Sequence, residues 1–177
     1  MLPGPTRATT EFVRGTAAVE AARSVDVGCV RISERHLTAD PPTAEQIAAA
    51  TADINAAIDE AASIVDLSGI ATVVGLAGSI TTITAQALDL TAYEPDRIHL
   101  AKLSPEAHRE SALALLHATT TERAALGYMH PGRVDVIGAG ALVWHEVLGR
   151  VLESSPDAQV VTSEHDILDG IALSCAE

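Results

Sequence analysis

The stretch Ala71-Thr72-Val73-Val74-Gly75-Leu76-Ala77-Gly78-Ser79-Ile80-Thr81-Thr82 decides the fold class. Small and β-branched side chains over 71–74 read as a short, buried strand. Glycines at 75 and 78 interrupt it, and the apolar pattern from Ile80 to Leu88 reads as a helix. Upstream, Asp40-Pro41-Pro42 breaks the chain, and Thr43 with Gln46 three positions on has the spacing of a capping box. Ile47, Ala50, Ile54, Ile58, Ala61 and Val65 then recur every three or four residues, the buried stripe of a helix of about five turns. Ser68-Gly69 closes that unit. Helix, strand, glycine loop and helix in succession is the grammar of an α/β layer.

Toward the amino end, Pro3, Gly4 and Pro5 predict an irregular segment over 1–9, followed by one α/β domain over 10–177. Glu11 to Gly15 reads as the end of a strand and a turn, and Val25, Val27, Cys29 and Ile32 extend strand character to residue 32. Toward the carboxyl end, Tyr93-Glu94-Pro95-Asp96 reads as a turn. Ser104 caps and Pro105 starts a helix that runs to His117. Thr119 and Glu122 repeat the capping-box spacing for a short helix ending near Gly127, and His130-Pro131-Gly132 breaks the chain again. Ile137, Ala141, Trp144, Leu148 and Val151 then predict a long helix. A competing strand at 134–137 with a dinucleotide loop at Gly138-Ala139-Gly140 is set aside, because the stripe runs through those glycines. Gln159 to Thr162 reads as a strand and Ile167 to Ala176 as a terminal helix.

Composition narrows the function classes. The 177 residues carry a net charge of −13, with 24 acidic and 11 basic side chains, and Lys102 is the sole lysine. A broad nucleic-acid surface, which needs an extended positive face, is excluded as an expectation; a small phosphorylated substrate met by a few local donors is not. Hydrophobic residues make up 47% of the chain but aromatics only 2%, so the core is aliphatic. Cys29 and Cys175 lack metal-ligand spacing and read as reduced thiols packed like small hydrophobes. No signal-like start and no run of eighteen apolar residues is present, so the expected setting is cytoplasmic, away from the membrane.

Three places carry chemistry-bearing residues. Gly75 to Thr82 joins a strand to a helix, where glycines let backbone approach a ligand and free helix amides attract anions. Ser79, Thr81 and Thr82 add hydroxyls, yet the stretch lacks a Walker lysine, and its pattern alone favours tight strand–helix packing over phosphate contact. Ser163-Glu164-His165-Asp166 has carboxylates and an imidazole at a strand end, but adjacent side chains rarely converge on one ion, and Ser163 or Asp166 serves equally as a helix cap. Gly170 inside the last helix suggests a close approach there, by a strand or a ligand. Arg133 has the chemistry for a phosphate contact, but its residue pattern alone favours a solvent-facing salt bridge, and Asp135 suits the first turn of the long helix. His117, His130 and His145 share no ligand spacing, and Trp144 lies on the apolar stripe.

Taken in order, Thr10–Gly15, Ser24–Arg31, Gly75–Thr82, Met129–Ala141 and Ser163–Ile171 resemble the second domain of the exopolyphosphatase / guanosine-pentaphosphate phosphohydrolase (Ppx/GppA phosphatase) family, over nearly all the chain from Thr10 onward. The resemblance implies a ribonuclease-H-like α/β domain of the acetate and sugar kinase, Hsp70 and actin superfamily, a mixed sheet with flanking helices. It implies hydrolysis of terminal phosphoanhydrides in polyphosphate, or of the 5′-γ phosphate of guanosine pentaphosphate, with Mg²⁺. By the same resemblance Glu11 is the catalytic or water-positioning carboxylate and metal ligand, while Thr9, Thr10, Gly75, Gly78, Ser79, Thr82 and Arg133 face substrate phosphate. The chain departs from the family at its start. Gly4 stands for an aspartate, Thr6, Arg7 and Ala8 for glycines, and Thr9 for a serine; Leu168 stands where many relatives have an arginine. Family members place the active site between two domains, so this chain on its own is expected to be weak or inactive, completed by a separate first-domain partner or a homodimer. The alternatives are a non-catalytic partner or regulatory subunit and a stand-alone nucleotide-binding module.

Overall fold

The computed structural model describes residues 9–175. Strands β1 (Thr10–Gly15) and β2 (Val19–Val25) pair antiparallel, with Phe12 and Val25 turned into the core. The chain then enters helix α1 (Cys29–Arg35) through an extended Gly28. This corrects the expectation of strand to residue 32. The alternation of Val25, Val27 and Cys29 ends at Val27, and Ile32 is buried from a helix.

Helix α2 (Ala44–Ala62) starts at the expected capping box, in which the Thr43 hydroxyl accepts from the Gln46 amide and the Gln46 side chain accepts from the Thr43 amide. Its stripe is the predicted one: Ala50, Ile54, Ile58 and Ala61 are fully buried, with Val65 beyond the helix end. Strand β3 (Thr72–Leu76) follows, then α3 (Gly78–Ala87), α4 (Pro95–Ile98) and the two-residue β4 (Lys102–Leu103). Helix α5 (Pro105–His117) has the Ser104 cap, α6 (Thr120–Ala124) has the Thr119/Glu122 box, and Pro131–Arg133 forms a 3₁₀ turn. Helix α7 (Ile137–Ser154), β5 (Gln159–Ser163) and α8 (Ile167–Ser174) complete the order. The helical reading of the Gly138-Ala139-Gly140 stretch therefore holds, while Pro95–Ile98 is a short helix where a turn was expected.

The second sheet is mixed, in the order β3-β5-β4, with β3 parallel and β4 antiparallel to β5. Helix α7 is the core element: Ile137, Ala141, Trp144, Leu148 and Val151 are buried against α1, α2, α3 and α5. A fully buried leucine such as Leu148 contributes about 1.5–3 kcal/mol by leaving water. Glycine at 140 lets α7 meet α3, since a Cβ there would overlap the Ser79 side chain. A smaller apolar cluster of Ala85, Leu90, Ile98 and Tyr128 anchors the segment after α3.

Strand β3 differs from the buried strand expected over 71–74. Val74 is 56% and Leu76 44% exposed, because only the Val73 and Gly75 face packs on the helices. Helix α8 is also uncovered: Ile167, Leu168, Ile171 and Leu173 are 73%, 71%, 54% and 72% exposed. Among the described residues outside the helix's own backbone, nothing lies within 4 Å of where a Gly170 Cβ would stand, so no strand closely approaches that glycine. Both cysteines are thiols outside any disulfide, but Cys175 is exposed and not packed as a small hydrophobe.

Candidate functional site

The parallel strands β3 and β5 end side by side, Leu76 opposite Ser163, and both lead into helices at that end. In α/β sheets the crevice beyond the carboxyl ends of such strands is where ligands sit. The turn from β3 into α3 is sharp: Ala77 has φ 70° and ψ 169°, a region that is essentially glycine's own. Holding alanine there costs about 1–3 kcal/mol, so the surrounding packing imposes the turn.

Ala77 offers no side-chain cap to α3, and the first intrahelical bonds are those of Ile80 and Thr81 to the Ala77 carbonyl. The Gly78 and Ser79 amides therefore have no partner among the described residues, and the helix dipole adds about half a positive charge at that point. The Arg133 guanidinium lies directly over Gly78, filling the space a Cβ would take, and its Nη1 donates to Thr82 Oγ1 at 3.2 Å. The Thr82 hydroxyl in turn donates to the Gly78 carbonyl at 2.7 Å.

Arg133 stands apart electrostatically. Arg14, Arg23, Arg31, Arg35, Arg97 and Arg150 each sit in an ion pair with a carboxylate. Arg123 is buried, its guanidinium engaged by the Leu115 and Leu116 carbonyls, and Arg109 bonds His145. Among the described residues Arg133 has no carboxylate partner, which removes the salt-bridge reading. A half-buried guanidinium with no carboxylate among the described residues, beside unpaired helix amides, has the donors and the charge to receive an anion in a chain of net charge −13.

The structure sorts the other candidates. Gly75 faces the core, where its Cβ would stand 2.8 Å from both Ile80 Cγ2 and Trp144 Cη2, so its role is packing. Ser79 packs against Gly140, and Thr82 is fully buried. The Thr10 hydroxyl donates to the Val27 carbonyl at 2.6 Å, which ties the start of β1 to the segment leading into α1. Glu11 is exposed on β1, its Oε1 accepting from Thr9 Oγ1 at 2.7 Å and Ser24 Oγ at 3.2 Å; no contact among the described residues joins it to Gly78 or Arg133. Asp135 precedes α7 and is not in its first turn. Asp166 caps α8 in a box with Asp169, and His165 pairs with Asp169 at 3.2 Å, so the Ser163–Asp166 run does not converge on an ion. Among the described residues no group of three or more His, Cys, Asp or Glu is placed to hold a metal. Glu11 with its threonine neighbour is one carboxylate donor, a set that suits Mg²⁺ only when substrate phosphates supply most of the ligands.

Sequence reasoning missed Tyr93 and, as a bonded partner, Glu164. The Tyr93 hydroxyl is 2.7 Å from both Thr81 Oγ1 and Glu164 Oε1, linking the first turn of α3 to the segment past β5. Nothing local marks them, since Glu164 lies 71 residues beyond Tyr93.

Residues 8–175 match the model of the Ppx/GppA phosphatase family. Exopolyphosphatase 2 of Mycobacterium tuberculosis is 44% identical over 168 residues, which are 95% of this chain and 53% of that protein. The crystal structure of an exopolyphosphatase-like protein superposes with a TM-score of 0.91 at 40% identity, over 94% of this chain and 56% of that one. The Aquifex aeolicus Ppx/GppA family member shares the fold, with a TM-score of 0.80 at 23% identity over 96% of this chain and 53% of that one. This chain thus spans about half the length of the curated relatives it matches. The expected architecture, an actin-like ATPase fold with a mixed sheet and flanking helices, is the one observed. With its motifs, its fold and its match over nearly all of its length, the chain belongs to the Ppx/GppA phosphatase family.

Proposed function

We propose that this chain supplies one wall of a phosphoanhydride hydrolase site, acting on terminal phosphate of polyphosphate or guanosine pentaphosphate, and that alone it turns over weakly or not at all. The observation that carries this reading is the free first turn of α3 under the Arg133 guanidinium, which no carboxylate neutralises. In the reaction a water attacks the terminal phosphorus in line, the bond to the bridging oxygen breaks, and orthophosphate leaves a chain one phosphate shorter. The Gly78 and Ser79 amides and Arg133 hold non-bridging oxygens and oppose the charge that builds on them. Glu11, the carboxylate that the family resemblance marks, orients the water or would hold Mg²⁺, whose chemistry there is neutralisation of phosphate charge. This chain gives one side of such a site, so water is not excluded and the opposite donors come from elsewhere.

A second reading, a partner subunit that binds without catalysing, is favoured by one feature. The apolar side chains of α8 and the outer face of β3 are uncovered, as a surface that seats another polypeptide would be. The test is phosphate release from polyphosphate and guanosine pentaphosphate with Mg²⁺ and with EDTA, beside Glu11→Ala. Little release from folded chain is the expected result. Brisk Mg²⁺-dependent release that Glu11→Ala abolishes would overturn the half-site reading.

A further inference from the structure

Tyr93 lies in the connection after α3, half-buried, with its hydroxyl against the first turn of α3. Its hydroxyl has one proton and sits 2.7 Å from each of two oxygens, Glu164 Oε1 and Thr81 Oγ1. A carboxylate only accepts, so the phenol donates to Glu164 and accepts from the Thr81 hydroxyl. Thr81 is 3% exposed in the first turn of α3. Glu164 is the first residue past β5, and its amide donates to His99 Nδ1 at 3.3 Å. Tyr93 thus ties the first turn of α3 to the end of β5. The next residue of that turn, Thr82, receives the Arg133 bond.

We propose that Tyr93, anchored by Glu164, is the positioning residue for Arg133 and the first turn of α3, and that it holds them in the orientation a polyanionic phosphate requires. The inference rests on the phosphate-binding reading of this site. Two physical consequences support it. The Glu164 carboxylate takes the phenol's proton in a hydrogen bond, which fixes the hydroxyl oxygen beside Thr81 in the first turn of α3. Burial pushes the Tyr93 pKa up, the Thr81 hydroxyl opposes that rise, the Glu164 carboxylate adds to it and Arg133 opposes it least, so the phenol keeps its proton.

The experiment compares the full chain with Tyr93→Phe, Glu164→Gln and Arg133→Ala. Inorganic tripolyphosphate binding is measured by calorimetry, and the Arg133 Nε–H resonance by NMR. Tyr93→Phe removes a hydroxyl and leaves the ring packing, so its melting temperature is expected to stay near that of the parent. Its Kd is expected to rise about tenfold, the effect of misaligning one charge-assisted hydrogen bond to phosphate. Its Arg133 resonance should move toward that of a freely rotating arginine. Glu164→Gln keeps an acceptor for the phenol, and its Kd should stay within about threefold of the parent. Tyr93→Phe with parental affinity and an unmoved Arg133 resonance overturns the inference, as does a tenfold gain in affinity in Glu164→Gln, which would make the carboxylate a repulsive element only. If Arg133→Ala binds as tightly as the parent, or the parent binds nothing, the phosphate-site reading falls instead. The Arg133 resonance in Tyr93→Phe then decides the positioning claim alone.

Discussion

Replacing Gly78 by alanine separates the two jobs a glycine can do at a strand–helix turn. A Cβ at Gly78 would overlap the Nε, Cζ and Nη2 atoms of Arg133, the far end of a flexible side chain and not backbone. The guanidinium must withdraw by about 1 Å to restore ordinary van der Waals separation. That breaks its 3.2 Å bond to Thr82 Oγ1, at a cost of about 1 kcal/mol. Alanine in the helix returns up to about 1 kcal/mol through lower backbone entropy in the unfolded chain. The two nearly cancel, so Gly78→Ala should melt within about 3 °C of the parent, given roughly 2–4 °C per kcal/mol for a chain of this size. Phosphate binding should suffer much more. A displaced guanidinium forfeits a charge-assisted hydrogen bond of about 1.5–3 kcal/mol, so tripolyphosphate affinity should fall about 10- to 100-fold in calorimetry. Gly75→Ala is the contrasting variant. Its Cβ would press 2.8 Å from Trp144 and Ile80 in the core, at a cost of about 1–3 kcal/mol. A Gly78→Ala protein that loses more than about 3 kcal/mol, or binds tripolyphosphate like the parent, refutes the assignment of Gly78 and Arg133 to an anion site.

Other perturbations test the frame around that site. His108 is fully buried between α5 and α7, accepts from Trp144 Nε1 at 3.4 Å, and burial lowers its pKa to about 4. The unfolded chain therefore binds the proton first. Stability is whole above pH 6.5 and declines as pH falls toward about 4, by up to about 3 kcal/mol, which urea titrations followed by the sole tryptophan should register and His108→Phe should flatten. Arg123→Met should cost about 2–4 kcal/mol in chemical denaturation, because the buried Leu115 and Leu116 carbonyls lose their donor; Arg123→Lys, with no planar fork, should recover little. Ala77→Gly should raise stability by about 1 kcal/mol, the relieved strain outweighing glycine's entropy, and an unchanged melting temperature would contradict the strained turn. Serine at Leu168 and Ile171 should change stability by less than about 0.5 kcal/mol, since both side chains are exposed, while binding of the dye ANS should fall.

Signals that are local were legible in the sequence. The Thr43/Gln46 and Thr119/Glu122 boxes, Pro105 behind Ser104, and the stripes of α2 and α7 rest on contacts within a few residues, and each helix formed where its caps and apolar spacing put it. Helix α1 was hidden because it buries Ile32 alone, too little for a stripe, behind a run of alternating apolar residues. The exposure of β3 was hidden because valine and leucine occupy its outer face as well as its inner one. At the site, the order of glycines pointed to the strand–helix turn, but the distinct roles of Gly75 and Gly78 depend on Trp144 and Arg133, which reach them only in the folded chain. The Tyr93–Glu164 bond spans 71 residues and leaves no mark in either neighbourhood. Glu11 is marked by family resemblance alone, and its bonds to Thr9 and Ser24 hold it on the β1–β2 hairpin without a contact to the turn.

The central claim is that a polyphosphate anion docks on the first turn of α3 under Arg133. The most direct measurement is a titration of the ¹⁵N-labelled chain with inorganic tripolyphosphate, followed residue by residue in the amide spectrum. The account predicts saturable shifts largest at Gly78 and Ser79, with the Arg133 Nε–H moving at the same ligand concentration. A folded chain whose Gly78, Ser79 and Arg133 signals stay fixed at saturating tripolyphosphate would contradict it.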